Sequence, residues 1–165
     1  MKPDYKLVAK AKYIHANADL ASEIWHEVYK RYYPAKQLDT LVETLQSADA
    51  IEEDIDNDVN YFLVVLGGKT IGYFAWKMEN TALHLLHLYL KPEYRGKALG
   101  RDILATCERL ARGEGRGRVW CGVNAGAACT ARCTPSACRC CSSLRPRATA
   151  CWAPPRQKLR AFPCS

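Results

Sequence analysis

The chain has 165 residues, of which 48% are hydrophobic and 25% are charged, a composition that suits one domain with a packed core. No apolar run is long enough to span a membrane and the first residues lack an apolar signal region, so we expect a cytoplasmic protein without a membrane partner. The net charge of +7 arises entirely in residues 127–165, which hold seven basic and no acidic residues. The charge of residues 1–126 is balanced, and we expect no nucleic-acid partner for them.

The first predicted elements are a strand and two helices. Loose alternation of apolar residues predicts a strand over residues 7–14. Asn17 or Asp19 is then expected to cap a helix that ends before Pro34. Apolar residues at helical spacing predict a second helix over residues 35–50.

Three strands are predicted next. Residues 61–66 and 70–76 are rich in β-branched and aromatic residues and flank Gly67-Gly68, which predicts a hairpin. A third apolar run over residues 82–90 should end near Pro92, because proline cannot donate to a sheet ladder.

A loop opening a helix follows the third strand. Its glycines and basic residues are Arg95, Gly96, Lys97, Gly100 and Arg101, and a helical pattern runs over residues 99–112. The amides that begin a helix lack intrahelical acceptors, and the helix dipole favours negative charge there. The expected ligand is a phosphate or a pyrophosphate. An ordinary solvated turn with basic residues is the alternative, because a glycine loop alone is a weak signal.

The order of these features resembles motif A of the GNAT N-acetyltransferase superfamily. That motif is a strand followed by (Arg or Gln)-x-x-Gly-x-(Gly or Ala) at a helix start, and Arg95, Ala98 and Gly100 take its three places. Ala98 departs from the usual glycine, and its methyl group would crowd a pyrophosphate. With one more strand over residues 118–124, the element order resembles the family over about residues 5–126. The resemblance implies an α/β (α+β) fold with a mixed, mostly antiparallel central sheet flanked by helices.

The resemblance also implies a reaction, which is the transfer of an acetyl or other acyl group from acetyl-CoA to a primary amine of a small molecule or peptide. Loop amides would hold the pyrophosphate, and the end of the preceding strand would pair with the pantetheine arm. The positions this assigns to the co-substrate are Leu88, Leu90, Arg95, Gly96, Lys97, Ala98, Gly100, Arg101 and Asn124. The helices predicted before Pro34 and over residues 35–50 would shape the acceptor pocket.

Three residues are candidates for the general base. His84 lies at a strand position where many relatives carry glutamate, and its ordinary pKa suits neutral pH. His87 lies three residues further, and strict alternation predicts that it faces the opposite side of the sheet. Glu79 is the third candidate. The alternative for each histidine is a partly buried strand residue without a catalytic role, and the alternative for Glu79 is a turn residue. The family's general-acid tyrosine has no counterpart in the chain.

The family pattern stops after Gly126. Residues 127–165 are rich in Cys, Arg and Pro and show no helical or strand period, so we predict an irregular tail after an acyltransferase domain, 1–126, that is incomplete at its C-terminus. A reading-frame shift near codon 127 and a genuine lineage-specific tail are both open. The tail holds seven of the nine cysteines, but the spacing of Cys138, Cys140 and Cys141 is not that of a usual zinc knuckle, so no metal is expected.

Two functional classes remain at this point. The first is an acyl-CoA-dependent N-acyltransferase whose activity is reduced by the altered C-terminus. The second is a catalytically inactive GNAT-like module that binds acyl-CoA or a protein. The sequence does not identify the acceptor, and it leaves a homodimer open.

Overall fold

The computed structural model describes residues 2–121, so Asn124 and the tail of residues 127–165 lie outside the described residues. The helices and strands are β1 (Asp4–Leu7), α1 (Ala11–Tyr29), α2 (Ala35–Gln46), α3 (Ala48–Asp56), β2 (Val59–Leu66), β3 (Lys69–Met78), β4 (Leu83–Leu90), a 3-10 turn (Pro92–Tyr94), α4 (Leu99–Gly113) and β5 (Val119–Cys121). No helix among residues 2–121 is long and apolar enough to cross a membrane.

The strands form one sheet in the order β1-β2-β3-β4-β5. The first four strands are antiparallel, and β5 pairs parallel to β4. This mixed, mostly antiparallel sheet flanked by helices confirms the predicted fold class.

Helices cover both faces of the sheet. On one face, α1 and α3 pack against β2 and β3 through a cluster that includes Ile24, Ile51 and Tyr61. On the other face, α4 packs against β3 and β4 through Ile103 and Cys107. Cys107 is fully buried, and this burial raises the pKa of its thiol to about 12. Each face therefore has its own core, and β3 and β4 contribute to both.

The predicted N-terminal elements need correction. The strand over residues 7–14 is wrong, because β1 ends at Leu7 and α1 begins at Ala11. Asn17 does not cap a helix: it lies inside α1 at a fully buried position between Ile14 and Leu20. A polar residue at a core position interrupted the apolar helical period and made Asn17 resemble a cap.

The second predicted helix is two helices. Ser47 has an extended backbone (φ −67°, ψ 165°), and its hydroxyl accepts a hydrogen bond from the Ala50 amide at 3.2 Å. This is the geometry of an N-cap, which ends α2 and begins α3.

A β-bulge interrupts the pairing of β3 with β4. Ala75 pairs with His87 and Trp76 pairs with Leu85, so Leu86 is an extra residue in β4. An inserted residue shifts the alternation of side chains that follow it by one. As a result, Leu83 and Leu85 before the bulge, and Leu88 and Leu90 after it, all pack on the α4 side.

Gly72 of β3 pairs with Leu90 at the C-terminal end of β4. A Cβ atom added to Gly72 would clash with the backbone oxygen of Tyr89 and would lie 2.7 Å from the Leu90 side chain. This contact involves the backbone, so it cannot be relieved by a rotamer change. Gly72 therefore fixes the separation of the two strands at the C-terminal end of β4.

We predict that Gly72→Ala lowers the free energy of unfolding by about 2 kcal/mol or more, since overpacking of a closed core costs roughly 1–3 kcal/mol and here the backbone must move. Gly113→Ala is the matched control, because nothing lies within 4 Å of its added Cβ. Urea denaturation of both variants measures the difference. Equal midpoints for the two would contradict the close approach.

Candidate active site

The loop between β4 and α4 presents backbone amides at its surface. Gly96 and Ala98 have positive φ angles of 76° and 62°, and both are exposed. The amides of Arg101 and Asp102 are the first in α4 to donate a hydrogen bond to a preceding carbonyl, and both donate to that of Ala98. Leu99 and Gly100 therefore begin the helix with amides that have no intrahelical acceptor. Left-handed residues before a helix start form a concave set of N–H donors, which is a geometry that binds phosphate groups.

Ala98 is strained as well as bulky. It serves as the N-cap of α4 in the left-handed conformation, and no side chain caps the helix there. The left-handed conformation costs a residue with a Cβ roughly 1–2 kcal/mol. The sequence predicted only a steric effect of this methyl group, whereas the structure shows that the alanine also opposes the backbone shape of the loop.

Arg95 is held by the protein itself. Its Nε donates to the Leu90 carbonyl and its Nη2 donates to Glu27 Oε2, each at 2.8 Å. Lys91 makes a parallel contact, with its Nζ 2.8 and 2.9 Å from the two oxygens of Glu23. Both carboxylates belong to α1. From the sequence, Arg95 is expected to supply positive charge to a phosphate. In the structure, its guanidinium instead joins the end of β4 to α1.

Lys97 and Arg101 are the other two basic residues of the loop, and both are exposed. Lys97 Nζ lies 5.2 Å from the centre of the Tyr94 ring, a cation–π distance. These two side chains therefore supply the exposed positive charge beside the amides of Gly96 and Ala98.

The edge of β4 that faces β5 is only partly paired. Residues Val119–Cys121 of β5 pair with Leu83–Leu85, and within residues 2–121 no strand continues this ladder along the rest of β4. Leu88 and Leu90 lie in that remaining segment, with their side chains packed on the α4 side. An unpaired backbone edge can accept an extended ligand as if it were another strand.

His84, Glu79 and Trp120 form a cluster at the start of β4. His84 Nδ1 lies 3.5 Å from Glu79 Oε1, and its ring stacks on the Trp120 indole with centroids 3.6 Å apart and a 10° interplanar angle. Trp120 Nε1 donates to Glu79 Oε2 at 3.0 Å. Burial lowers the pKa of His84, and the neighbouring Glu79 carboxylate opposes part of that shift. The net shift therefore favours the neutral form of His84.

His87 faces the same side of the sheet as His84, so the predicted opposite placement is wrong. The bulge at Leu86 is the reason, because it removes strict alternation between the two histidines. The His87 ring lies 5.9 Å from the ring of Tyr61 and 6.3 Å from that of Tyr73, both members of the α1-side core. Burial lowers the pKa of His87 to about 4.

Two residues near these groups were not assigned a role in binding or catalysis from the sequence. Trp120 lies in the strand predicted over residues 118–124, and Glu27 lies in the helix predicted before Pro34. Each contacts a residue that is distant in the sequence, and a local sequence pattern cannot reveal such a contact. Among residues 2–121, no group of three or more His, Cys, Asp or Glu side chains is placed to hold a metal ion.

Comparison with known proteins identifies the class to which this fold and loop belong. The family model described as Acetyltransferase (GNAT) family matches residues 22–131, more than half of the chain. The chain belongs to the GNAT acetyltransferase family.

Individual relatives are more distant. The chain is 26% identical over 102 residues to a spermidine N(1)-acetyltransferase of Thermoplasma acidophilum, a match that covers 59% of this chain and 63% of that protein. The chain thus spans less than two thirds of the length of this curated relative.

Solved structures share the fold. PaiA N-acetyltransferase from Thermoplasma acidophilum, in complex with coenzyme A, superposes with a TM-score of 0.68 at 20% identity, covering 78% of this chain and 83% of that one. A GCN5-related N-acetyltransferase from Rhodopseudomonas palustris gives a TM-score of 0.62 at 16% identity, covering 78% and 77%.

We predict that Ala98→Gly stabilises the fold by about 0.5–1 kcal/mol, since glycine adopts the left-handed conformation without the Cβ penalty. The loop already has this conformation without a ligand, so relief of strain alone does not change affinity; removal of the methyl group that would crowd a pyrophosphate should tighten acetyl-CoA binding. Asp58→Gly is the control: Asp58 has φ 65° at the turn before β2, remote from the loop in sequence. That variant should leave acetyl-CoA affinity unchanged. Urea denaturation measures the stability and calorimetric titration the affinity; an unchanged stability of Ala98→Gly would contradict the strain argument, and a weaker affinity would contradict the crowding argument.

The low pKa of His87 predicts a pH-dependent stability. Between pH 6.5 and about 4, His87 is protonated in the unfolded chain but stays neutral in the folded chain. The free energy of unfolding should therefore fall as the pH drops through this window. His87→Gln should flatten the dependence, whereas the exposed His15→Gln should not. Urea midpoints at about pH 7 and about pH 4.5 provide the measurement. Equal slopes for the wild type and His87→Gln would exclude His87 as the cause.

Proposed function

We propose that this chain is an N-acetyltransferase that transfers the acetyl group of acetyl-CoA to a primary amine of a small molecule or peptide. The observation that carries the proposal is the juxtaposition of the amide-lined loop at Gly96–Gly100 with the edge of β4 that leads into it, which no strand within residues 2–121 covers beyond Leu85. A phosphate group and an extended arm are the two parts of coenzyme A that such a loop and such an edge would hold.

The residues have separate tasks in binding. The amides of Gly96, Ala98 and Gly100 take the pyrophosphate, with Lys97 and Arg101 adding charge. The backbone of β4 at Leu88 and Leu90 pairs with the pantetheine arm, although one lone pair of the Leu90 carbonyl is already used by Arg95. Acetyl-CoA supplies the activated acetyl thioester. The assignment of Asn124 stays a prediction.

His84 is the general base of this proposal. Its Nδ1 faces Glu79 across 3.5 Å, an arrangement that favours a proton on Nδ1 and leaves Nε2 free to accept one. A neutral imidazole can take the proton that the amine must lose as it attacks the thioester carbonyl. As the new C–N bond forms the C–S bond breaks, and coenzyme A leaves as a thiolate that takes a proton from water. Glu79 and the stacked Trp120 orient the ring. His87 is less suited, because its low pKa makes it a poor proton acceptor and aromatic rings surround it.

A polyamine is the first acceptor to test. The relative named spermidine N(1)-acetyltransferase supports this choice. A peptide with a free N-terminus provides the comparison with another amine class. Because the chain contains nine cysteines, acetylated product should be measured by mass rather than by thiol release.

The experiment is an incubation of the full chain with acetyl-CoA and spermidine, with a titration of acetyl-CoA alone alongside. Mono-acetylated spermidine formed in proportion to enzyme concentration supports the proposal. Binding of acetyl-CoA without acetylation of any amine tested favours the inactive acyl-CoA-binding module instead. Absence of binding to the folded chain overturns both.

We predict that His84→Asn lowers kcat by about 10²–10⁴-fold, the range contributed by a general base. In the wild type, the rise of kcat/KM with pH that His84 causes should lie at lower pH than an exposed histidine would give, because burial lowers the pKa of His84. Glu79→Gln removes a carboxylate that raises this pKa, so the rise should move to lower pH. A pH profile that is identical in wild type and Glu79→Gln would exclude His84 as the titrating base.

A further inference from the structure

Two ion pairs join α1 to the loop that precedes α4. Glu23 and Glu27 lie one helical turn apart on α1. Their partners are Lys91 and Arg95, which flank the 3-10 turn Pro92–Tyr94. The spacing of four residues on each side lets both pairs form together and fixes the loop against the helix at two points.

The Arg95 pair is the more directional of the two. Its guanidinium is planar, and it binds the Leu90 carbonyl through Nε and the Glu27 carboxylate through Nη2. Two contacts from one rigid group set the orientation of the whole side chain. The Arg95 side chain is 28% exposed and that of Glu27 is 38% exposed, so the pair is shielded more than a typical surface ion pair.

This contact acts at the point where the loop takes up its unusual backbone. Arg95 directly precedes Gly96, which has a φ of 76°, and Ala98 is held in the left-handed region two residues later. A strained conformation persists only when surrounding contacts impose it. Arg95 supplies such a contact from the start of the segment, and Glu27 fixes Arg95.

We propose that Glu27 is a positioning residue for the pyrophosphate-binding loop. This inference rests on the proposed function. In it, Glu27 does not contact the co-substrate. Glu27 holds the Arg95 guanidinium against α1 and Leu90, and through it keeps the amides that follow Arg95 in the arrangement that receives a phosphate. The competing idea, that Glu27 withholds Arg95 from the phosphate, predicts the opposite change in affinity when Glu27 is removed.

The test compares Glu27→Ala with Glu93→Ala. Glu93 is an exposed residue of the same loop, so its removal changes the charge equally without disturbing Arg95. For Glu27→Ala we expect the Kd and the KM for acetyl-CoA to rise about five- to tenfold. We expect kcat at saturating acetyl-CoA and the KM for the amine to stay within about twofold. Glu93→Ala should leave the Kd unchanged or lower it. A fall in the Kd for Glu27→Ala, beyond that for Glu93→Ala, would overturn the proposal.

A second measurement decides the role of Glu27 even if the chain fails to bind or acetylate anything. Hydrogen exchange in the absence of ligand should be faster in Glu27→Ala than in Glu93→Ala and the wild type at the hydrogen-bonded amides that flank the loop, those of Arg95, Arg101 and Asp102. Arg95→Lys should show the same acceleration, because lysine keeps the charge but cannot make both contacts. Unchanged exchange in Glu27→Ala would overturn the inference, whereas absent catalysis with accelerated exchange would overturn only the proposed reaction.

Discussion

The extra residue in β4 determines which side chains of this strand face α1 and which face α4. Without the bulge at Leu86, strict alternation would turn His87 and Tyr89 toward α4 and would turn Leu88 and Leu90 toward α1. With it, the leucines on both sides of the bulge pack beneath α4, while His84 and His87 share the α1 face. A single inserted residue thus keeps the apolar core beneath α4 continuous and places both histidines on the α1 face of the sheet.

Elements on the two faces meet at the C-terminal end of β4. Gly72 lets β3 and β4 approach closely there. The Arg95 side chain donates a hydrogen bond to the carbonyl of Leu90, the residue that Gly72 faces. The chain then turns into the loop whose amides open α4. Contacts from β3, from β4 and from α1 therefore meet beside the Gly96–Gly100 loop, which is only a few residues long.

Local sequence patterns predicted the parts of the fold that local interactions determine. The Gly67-Gly68 hairpin, the strand ending at Leu90 and the helix beginning at Leu99 are confirmed, since turn residues and apolar periods define each of them. The start of α1 was misplaced because Asn17 occupies a core position with a polar side chain. The relation of His84 to His87 was wrong because strict alternation was assumed across Leu85-Leu86, where two adjacent leucines break the alternation at the bulge. The partners of Arg95 and His84 lie 68 and 36 residues away, at Glu27 and Trp120, so only the fold could reveal them.

The buried thiol of Cys107 gives the molecule an internal chemical reporter. Because burial raises its pKa to about 12, almost no thiolate forms at neutral pH. The buried sulfur is also inaccessible to alkylating and oxidising reagents. Cys107 becomes reactive only when α4 separates from the sheet. Its rate of modification therefore measures how often α4, which begins with the amides of Leu99 and Gly100, separates from the sheet.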